Sequence, residues 1–497
     1  MATWEIGEID NSPIGQNTPA AGTFTALSAT TSISSPDPIR QNLLDNSGFG
    51  VWSQSELDQG TGTGRQSDWE VGSAIHDDDC EDDDTGDYTT SDCTLTFTSS
   101  PGNGAEGSDG YYTVTQTGGT YQHVDITLSG LVADRLYKFS IYIKNGTHTF
   151  DSSDQLKTYY GAEQFIETLE LDGAGDWTAA SVIWRAVNTD DVVRLHVVLG
   201  SGETVLIDNW HVHEVTPGCS LSHGPDGWYT YSPVGGSNLK IRREPTDDNT
   251  KDGAYYALRM SGAVQHDRLV WPRFSALYND PGFYKQFAGR TVTCGVWAKT
   301  STANDLRIRI YDGVTYATSS YHSGSGNWEW IEVSKTCSVN TTKFYIGFQL
   351  ANASPGTTYL SQPMLVFGNS IGEGNYCPKQ GEFLPTREYI QLRSYGSGTV
   401  TANESVNLEA QSSGKIPATA KAVFATLIGS CADVEKTLAL SDASPIRFEG
   451  PRIYSQAADV KTANSGIVAI NNTGDVYLLR DDTFNEVTIR ISGVYLW

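Results

Sequence analysis

The sequence has little of what long helices, zinc sites or membrane spans require. Only 3 of its 497 residues are methionine. Sustained runs of Leu, Ala, Glu and Lys at helical spacing are almost absent, which argues against a helical fold. No apolar stretch is long enough to cross a bilayer, so membrane insertion is not expected. The opening MATWEIGEID has no basic segment followed by an apolar one, so no secretory leader is expected and the chain is read as a cytoplasmic product. The 7 cysteines are scattered without a CxxC pair, which indicates neither a zinc site nor a disulfide framework. Cys80 and Cys93 are close enough to bridge a loop, but free thiols fit a reducing compartment better. Positive charge is scarce too: 33 Lys+Arg stand against 59 Asp+Glu, for a formal net charge of −26. Counterion release cannot draw such a chain onto DNA, so nucleic acid is not an expected partner. HExxH and the GxxxxGK[ST] phosphate-binding loop are missing, and the chain is expected not to be an enzyme.

What is present is the composition of short strands and tight turns. The 50 glycines supply positive φ at turns, and the 25 tyrosines and 12 tryptophans suit half-buried pleated surfaces. Residues 1–40 differ, being rich in Ser, Thr, Ala and Pro; alone they cannot bury enough surface to offset their ordering entropy. They are read as an extended arm with Ile14, Phe24 and Leu27 as docking anchors. From 41 to 216 the strand candidates are 111–116, 124–128, 136–144, 178–187, 192–199 and 204–215, several alternating apolar and polar residues as one-sided strands do. The opening NLLDNSGFGVW is assigned to this first module. A second module at 217–370 repeats the plan. DGYYTVTQTGGTYQHVDI aligns with DGAYYALRMSGAVQHDRL, LYKFSIYIKNG with TVTCGVWAKTS, and GDWTAASVIW with GNWEWIEVSKT. This places Gln122-His123 on Gln265-His266 and Trp177 on Trp328, and a repeat of this length argues duplication of a whole β-sandwich. A glycine-rich hinge at 371–384 leads to a C-terminal domain at 385–497, where SVNLEAQ, KAVFATLIGS, KTLALS, IRFEG, GIVAINN, DVYLLRD and EVTIRISGVYLW read as strands. The expected fold is all-β: tandem jelly-roll β-sandwiches, a C-terminal β-sandwich and an extended N-terminal arm.

The run Ser12–Leu27, SPIGQNTPAAGTFTAL, resembles a segment common near the N-termini of phage tail-fibre and other virion appendage proteins. The matched order of the two modules resembles the carbohydrate-binding-module-like jelly rolls of many phage tail proteins. These resemblances imply a virion structural protein made in the host cytoplasm, tethered by its arm to other virion proteins as a homotrimer. No heptad supports the trimer independently. In that family the opening "N…F…W" and the late "G-x-W" are mostly packing features, so Trp52, Trp177 and Trp328 are read as core.

The run DDDCEDDDTGD at 77–87 offers oxygen ligands to Ca²⁺ through Asp79, Asp82 and Asp84, but it lacks the spacing of an EF-hand. A solvated, self-repelling loop explains it better, and no cofactor is expected. Asp208 beside Asn209-Trp210, and Glu163 near Glu167, are the only carboxylate settings worth inspecting for glycosidase chemistry; ordinary surface charge explains both. Glycan contact is the better functional candidate, because sugar rings stack on exposed aromatics while polar side chains read hydroxyls. The second module supplies Trp228, Tyr229, Trp271, Tyr316, Tyr321, Trp330, Arg307 and Arg309; the first supplies Tyr159, Tyr160 and Trp184. Three readings follow: a structural appendage with exposed sandwiches, a dedicated receptor-binding protein for host polysaccharide, or an accessory chain of a depolymerase. The missing short-rung β-helix repeats count against the third.

Overall fold

The computed structural model describes residues 41–496 apart from 56–67, 71–73, 152, 162–163, 172–174, 221–223, 232–238, 246, 252–253, 262–264, 266, 273–278, 353, 380, 393–403, 432, 443–449, 457–459 and 481–483. The arm anchors Ile14, Phe24 and Leu27, and also Glu163, His266 and most of IRFEG, lie outside the described residues.

The described chain is nearly all β, in three sandwiches of antiparallel strands. In the first, one sheet holds Cys93–Ser99, Gly110–Gln116, Thr204–Ser220, Leu136–Asn145 and Thr178–Arg185 in that spatial order. Facing it is a 5-stranded sheet of Thr89–Ser91, Gln122–Thr127, Val192–Val197, Gln155–Tyr160 and Gln164–Glu170. The second sandwich repeats this order strand for strand. Lys240–Glu244, Ala257–Ser261, Thr357–Phe367, Thr291–Thr300 and Trp328–Thr336 face a 5-stranded sheet of Tyr229–Tyr231, Arg268–Trp271, Tyr345–Leu350, Leu306–Tyr311 and Tyr316–Thr318. The aligned segments of the two modules thus occupy matching strands. The third sandwich packs a 4-stranded sheet of Phe383–Gln391, Phe484–Tyr495, Ala422–Cys431 and Thr462–Ala469 on another of Glu404–Asn407, Asp475–Arg480, Thr437–Ser441 and Arg452–Tyr454.

The first two sandwiches share a sheet. Strand Thr204–Ser220 runs 17 residues; after serving the first sandwich, its end pairs Gly218–Ser220 with Lys240–Arg242 at the edge of the second. That pairing covers an edge that would otherwise present unpaired N–H and C=O groups. The same strand carries a bulge. Val205 and Ile207 face the core, the register against Leu136–Asn145 shifts between Asp208 and His211, and beyond the shift Trp210 and Val212 face the core. One extra residue, Asn209 at φ +49°, reverses the alternation and turns His211 and His213 outward. The second copy has the same device at Gln362, φ +52°, in a register shift against Thr291–Thr300, with Leu360 in the core before it and Leu365 after it.

Three expectations are corrected. The segment NLLDNSGFGVW belongs with the second sandwich: Leu44, Phe49 and Trp52 enter the core with Trp228, Leu239 and Leu269, and Val51 enters the core of the third. Asn46 fixes the segment, its side-chain N–H groups reaching Val51 and Asp226 carbonyls while its Oδ1 accepts from Gly50 and Val51. Full burial of Leu44, Phe49 and Val51 contributes about 1.5–3 kcal/mol each. The hinge is a packed strap, with Ile371 and Gly372 N–H groups on Glu332 Oε2 at 3.1 and 2.8 Å and Tyr376 bonded to Ser47 at 3.1 Å. The strand read into SVNLEAQ stops at Asn407, whose side chain caps a short helix, Leu408–Gln411, by accepting from the Ala410 N–H. Competition from an Asn side chain for backbone N–H groups is the local reason.

That cap turns Glu409 onto Arg243. The two are 2.9 Å apart with side chains 4% and 3% exposed, and Tyr256 OH donates to the same carboxylate oxygen at 2.8 Å. Arg243 also donates to the carbonyls of Gly50 and Gly414 at 3.1 and 2.8 Å, and its own carbonyl accepts from Thr216. One residue, Arg243, therefore joins the long shared strand through its backbone carbonyl, and the 41–55 segment and the third sandwich to the second through its guanidinium. All seven cysteines are free thiols, Cys80 and Cys93 included.

Arg243→Ala should destabilise the chain by about 3–5 kcal/mol in urea denaturation, because it strands a buried carboxylate. The double replacement Arg243→Met with Glu409→Leu should recover part of that loss, since both charges leave together. Nearby, burial lifts the Glu382 carboxyl to about 7 although it accepts the Asn46 N–H. A carboxyl raised above its unfolded value of about 4.3 contributes stability that is full below that value and is lost as pH rises through about 7. Wild-type stability relative to Glu382→Gln should therefore fall across that window, measured by denaturation at a series of pH values.

Candidate functional site

The alternation of LRIRIY sends Leu306, Ile308 and Ile310 into the second core and turns Arg307, Arg309 and Tyr311 outward. Neighbouring strands follow the same rule, so the outer face of this 5-stranded sheet can be read from its register. One row crosses four strands: Tyr231, Arg268, Gln349 and Arg307 are direct partners in sequence. Arg268 lies over the Tyr231 ring at 4.2 Å. Arg307 stacks on Tyr321 at 5.2 Å and donates to its hydroxyl at 2.9 Å. A parallel row places Arg309 beside Gly347, with its guanidinium 4.3 Å from the Tyr316 ring. A third pairs Tyr345, Tyr311 and Tyr316, with Tyr311 and Tyr345 rings 5.2 Å apart. The Arg268 side chain packs over Gly347, its Cδ 3.5 Å from where a Cβ would stand.

The face combines exposed aromatic rings with planar donors. Tyr316, Tyr321 and Tyr231 are 61%, 43% and 40% exposed. Each arginine lies against a tyrosine ring, which limits the rotamers it loses on engaging a ligand. Among the described residues, none of Arg268, Arg307 and Arg309 pairs with a carboxylate. The matching face of the first sandwich is closed instead. Asp125, which the alignment sets against Arg268, binds Arg194 through Nε–Oδ1 at 2.7 Å and Nη2–Oδ2 at 2.8 Å, and accepts from Tyr159 OH at 2.8 Å. Asp125 and Arg194 are 7% and 5% exposed, and their charges cancel in place.

The sequence candidates divide accordingly. Tyr316, Tyr321, Arg307 and Arg309 come together on the open face, with Tyr229 at its edge. Trp271 is buried in the second core against Phe283, Trp228 likewise against Phe49 and Phe348, and Trp184 in the first core with its indole N–H on Asp191 at 3.1 Å. Tyr159 is held by Asp125 and Arg194. Burial removes these four as platforms for a ligand, and Tyr160 remains half-buried. Trp330 is half-buried with its N–H on Glu332. Trp52 is core as expected, but Trp177 and Trp328 are only partly buried; Trp177 lies on the surface, donating to the Asn103 carbonyl. Arg268, Tyr231 and Gln349 were missed, although Arg268 already stood opposite Asp125 in the alignment, a charge reversal within a repeat. The carboxylates of Asp79, Asp82 and Asp84 do not converge: the only metal-competent trio among the described residues lies elsewhere. Asp208 is fully buried and accepts from the Ala105 N–H and Ser108 at 2.6 and 2.7 Å.

No family model and no curated protein sequence matches the chain. Solved structures of similar fold include the tandem CBM22-1–CBM22-2 domains of Paenibacillus barcinonensis Xyn10C, 10% identical over 61% of this chain and 99% of that one, TM-score 0.29. The CBM22-1–GH10 modules of Clostridium thermocellum Xyn10B, complexed with xylohexaose, are 20% identical over 29% of each chain, TM-score 0.23. The enzymatically active domain of bacteriophage CBA120 tailspike protein 4 is 9% identical over 26% of this chain and 20% of that one, TM-score 0.22. None of these likenesses assigns a residue of the site.

Proposed function

We propose that this chain is a non-enzymatic appendage subunit of a phage virion whose second sandwich binds an acidic polysaccharide. The observation that carries the binding reading is the row Tyr231–Arg268–Gln349–Arg307, arginines without carboxylate partners set among exposed tyrosines. Tyrosine faces receive sugar C–H surfaces, buried Gln349 holds Arg307 by accepting from its Nε at 3.4 Å, and the guanidinium forks suit the carboxylates of uronic acids. The net charge of −26 does not cancel this locally, because exposed charges farther away than about 8 Å are largely screened at physiological salt. The appendage reading rests on the resemblance of Ser12–Leu27 to virion attachment segments, which makes other virion proteins the partners of the arm and a trimer the expected assembly. A dedicated receptor-binding role is the same reading carried to the host surface. Inhibition of phage adsorption by the purified chain would favour it.

In affinity electrophoresis, the full chain should be retarded by a uronate-bearing polysaccharide and much less by its neutral counterpart. Arg268→Ala with Arg307→Ala should weaken retardation at least about tenfold, given ~1.5–3 kcal/mol for each hydrogen bond to a charged group. Equal retardation by both polymers, or an unaffected double variant, would overturn the proposal.

A further inference from the structure

The outward turn of His211 and His213 has no role in the glycan face, which lies on the other sandwich. We propose that Asp77, His211 and His213 form a binding site for a borderline divalent transition-metal ion, zinc foremost. Strand His76–Asp78 runs beside the long strand with Asp77 directly opposite His211. His213, two residues on, shares the face of His211, as strand periodicity requires. The donor atoms of the three all lie within 4.8 Å of one another, the only such trio among the described residues. A tetrahedral zinc ion with bonds of ~2.0–2.1 Å needs donors about 3.3 Å apart. Small rotations of side chains that are 63% exposed at Asp77 and 28% at His211 can close that difference. His211 Nδ1 already meets Asp77 Oδ1, so two of the three donors face each other. Two imidazoles and one carboxylate favour zinc-like ions over calcium, which takes only oxygen. Three protein donors leave a coordination position for water or an external ligand.

The duplicated fold supplies an internal comparison. Counting from the bulge residues Asn209 and Gln362, the positions of His211 and His213 correspond to Met364 and Val366. In the second copy these are buried and packed with Ile371 under the strap, beside Trp330, Tyr376 and Cys377. The same backbone device therefore presents an apolar contact in one copy and two imidazoles facing a carboxylate in the other. A metal would clip the three-residue strand His76–Asp78 to the strand shared by both sandwiches. That strand leads into the acidic run 77–87, so the clip would also fix the base of the loop.

The test is calorimetric titration of the chelator-stripped full chain with zinc at neutral pH. Saturable binding of one ion per chain is expected, with a rise in melting temperature on zinc addition. His211→Ala and His213→Ala should each abolish both effects. Asp77→Ala, at an exposed position that does not threaten folding, should weaken binding at least about tenfold. Absence of saturable binding by the wild type would overturn the site. So would zinc binding undiminished in His211→Ala and Asp77→Ala, which would assign the heat to the acidic loop instead.

Discussion

The ion pair between Arg243 and Glu409 is the contact on which the arrangement of the sandwiches depends. Removing two charges from water costs several kcal/mol for each ion, and their attraction repays this only when the remaining donors and acceptors are also satisfied. Here the carbonyls of Gly50 and Gly414 take Nη1 and the hydroxyl of Tyr256 serves the carboxylate, while Arg243 Nε is buried without a hydrogen-bond partner among the described residues. The pair therefore requires that the 41–55 segment, the Asn407-capped helix and the shared strand all be in place. The third sandwich is built into the structure through these contacts, and the glycine-rich strap between it and the second is packed along with them.

Above that clamp stands a duplicated frame with divergent surfaces. Strand order, sheet pairing and even the bulge are common to the first two sandwiches, and the differences lie in outward side chains. Asp125 against Arg268 decides whether the facing sheet is neutral and closed or cationic and open. His211 and His213 against Met364 and Val366 decide whether the opposite sheet presents imidazoles or packs under the strap. A sandwich tolerates such exchanges because one face of each strand suffices to build the core.

Much of the β-structure was legible in the sequence, since period-two alternation marks one-sided strands directly: LYKFSIYIK sits where it was expected. The repeat was legible for the same reason, from the order of its aligned strands. Less legible was anything set by long-range contact. The docking of Leu44, Phe49 and Trp52 into the second sandwich depends on Asn46 reaching Asp226, 180 residues away. The bulge at Asn209 reverses the alternation, so a constant period would turn His211 and His213 into the core. For the candidate site, residue type was a poor guide among aromatics: Trp184 and Trp271 fill cores, whereas tyrosines on the short strands remain exposed. Alternation next to arginine was the better signal, and it led to Arg307 and Arg309.

The central claim is that the open arginine face of the second sandwich, and not its closed counterpart in the first, receives an acidic glycan. Arginine-selective labelling of the full chain, mapped by peptide mass spectrometry with and without a uronate oligosaccharide, tests it most directly. The account predicts that Arg268, Arg307 and Arg309 label in the free protein and are protected by the oligosaccharide, while Arg194 is unreactive in both states. Labelling of the three arginines that a bound oligosaccharide leaves unchanged would contradict it.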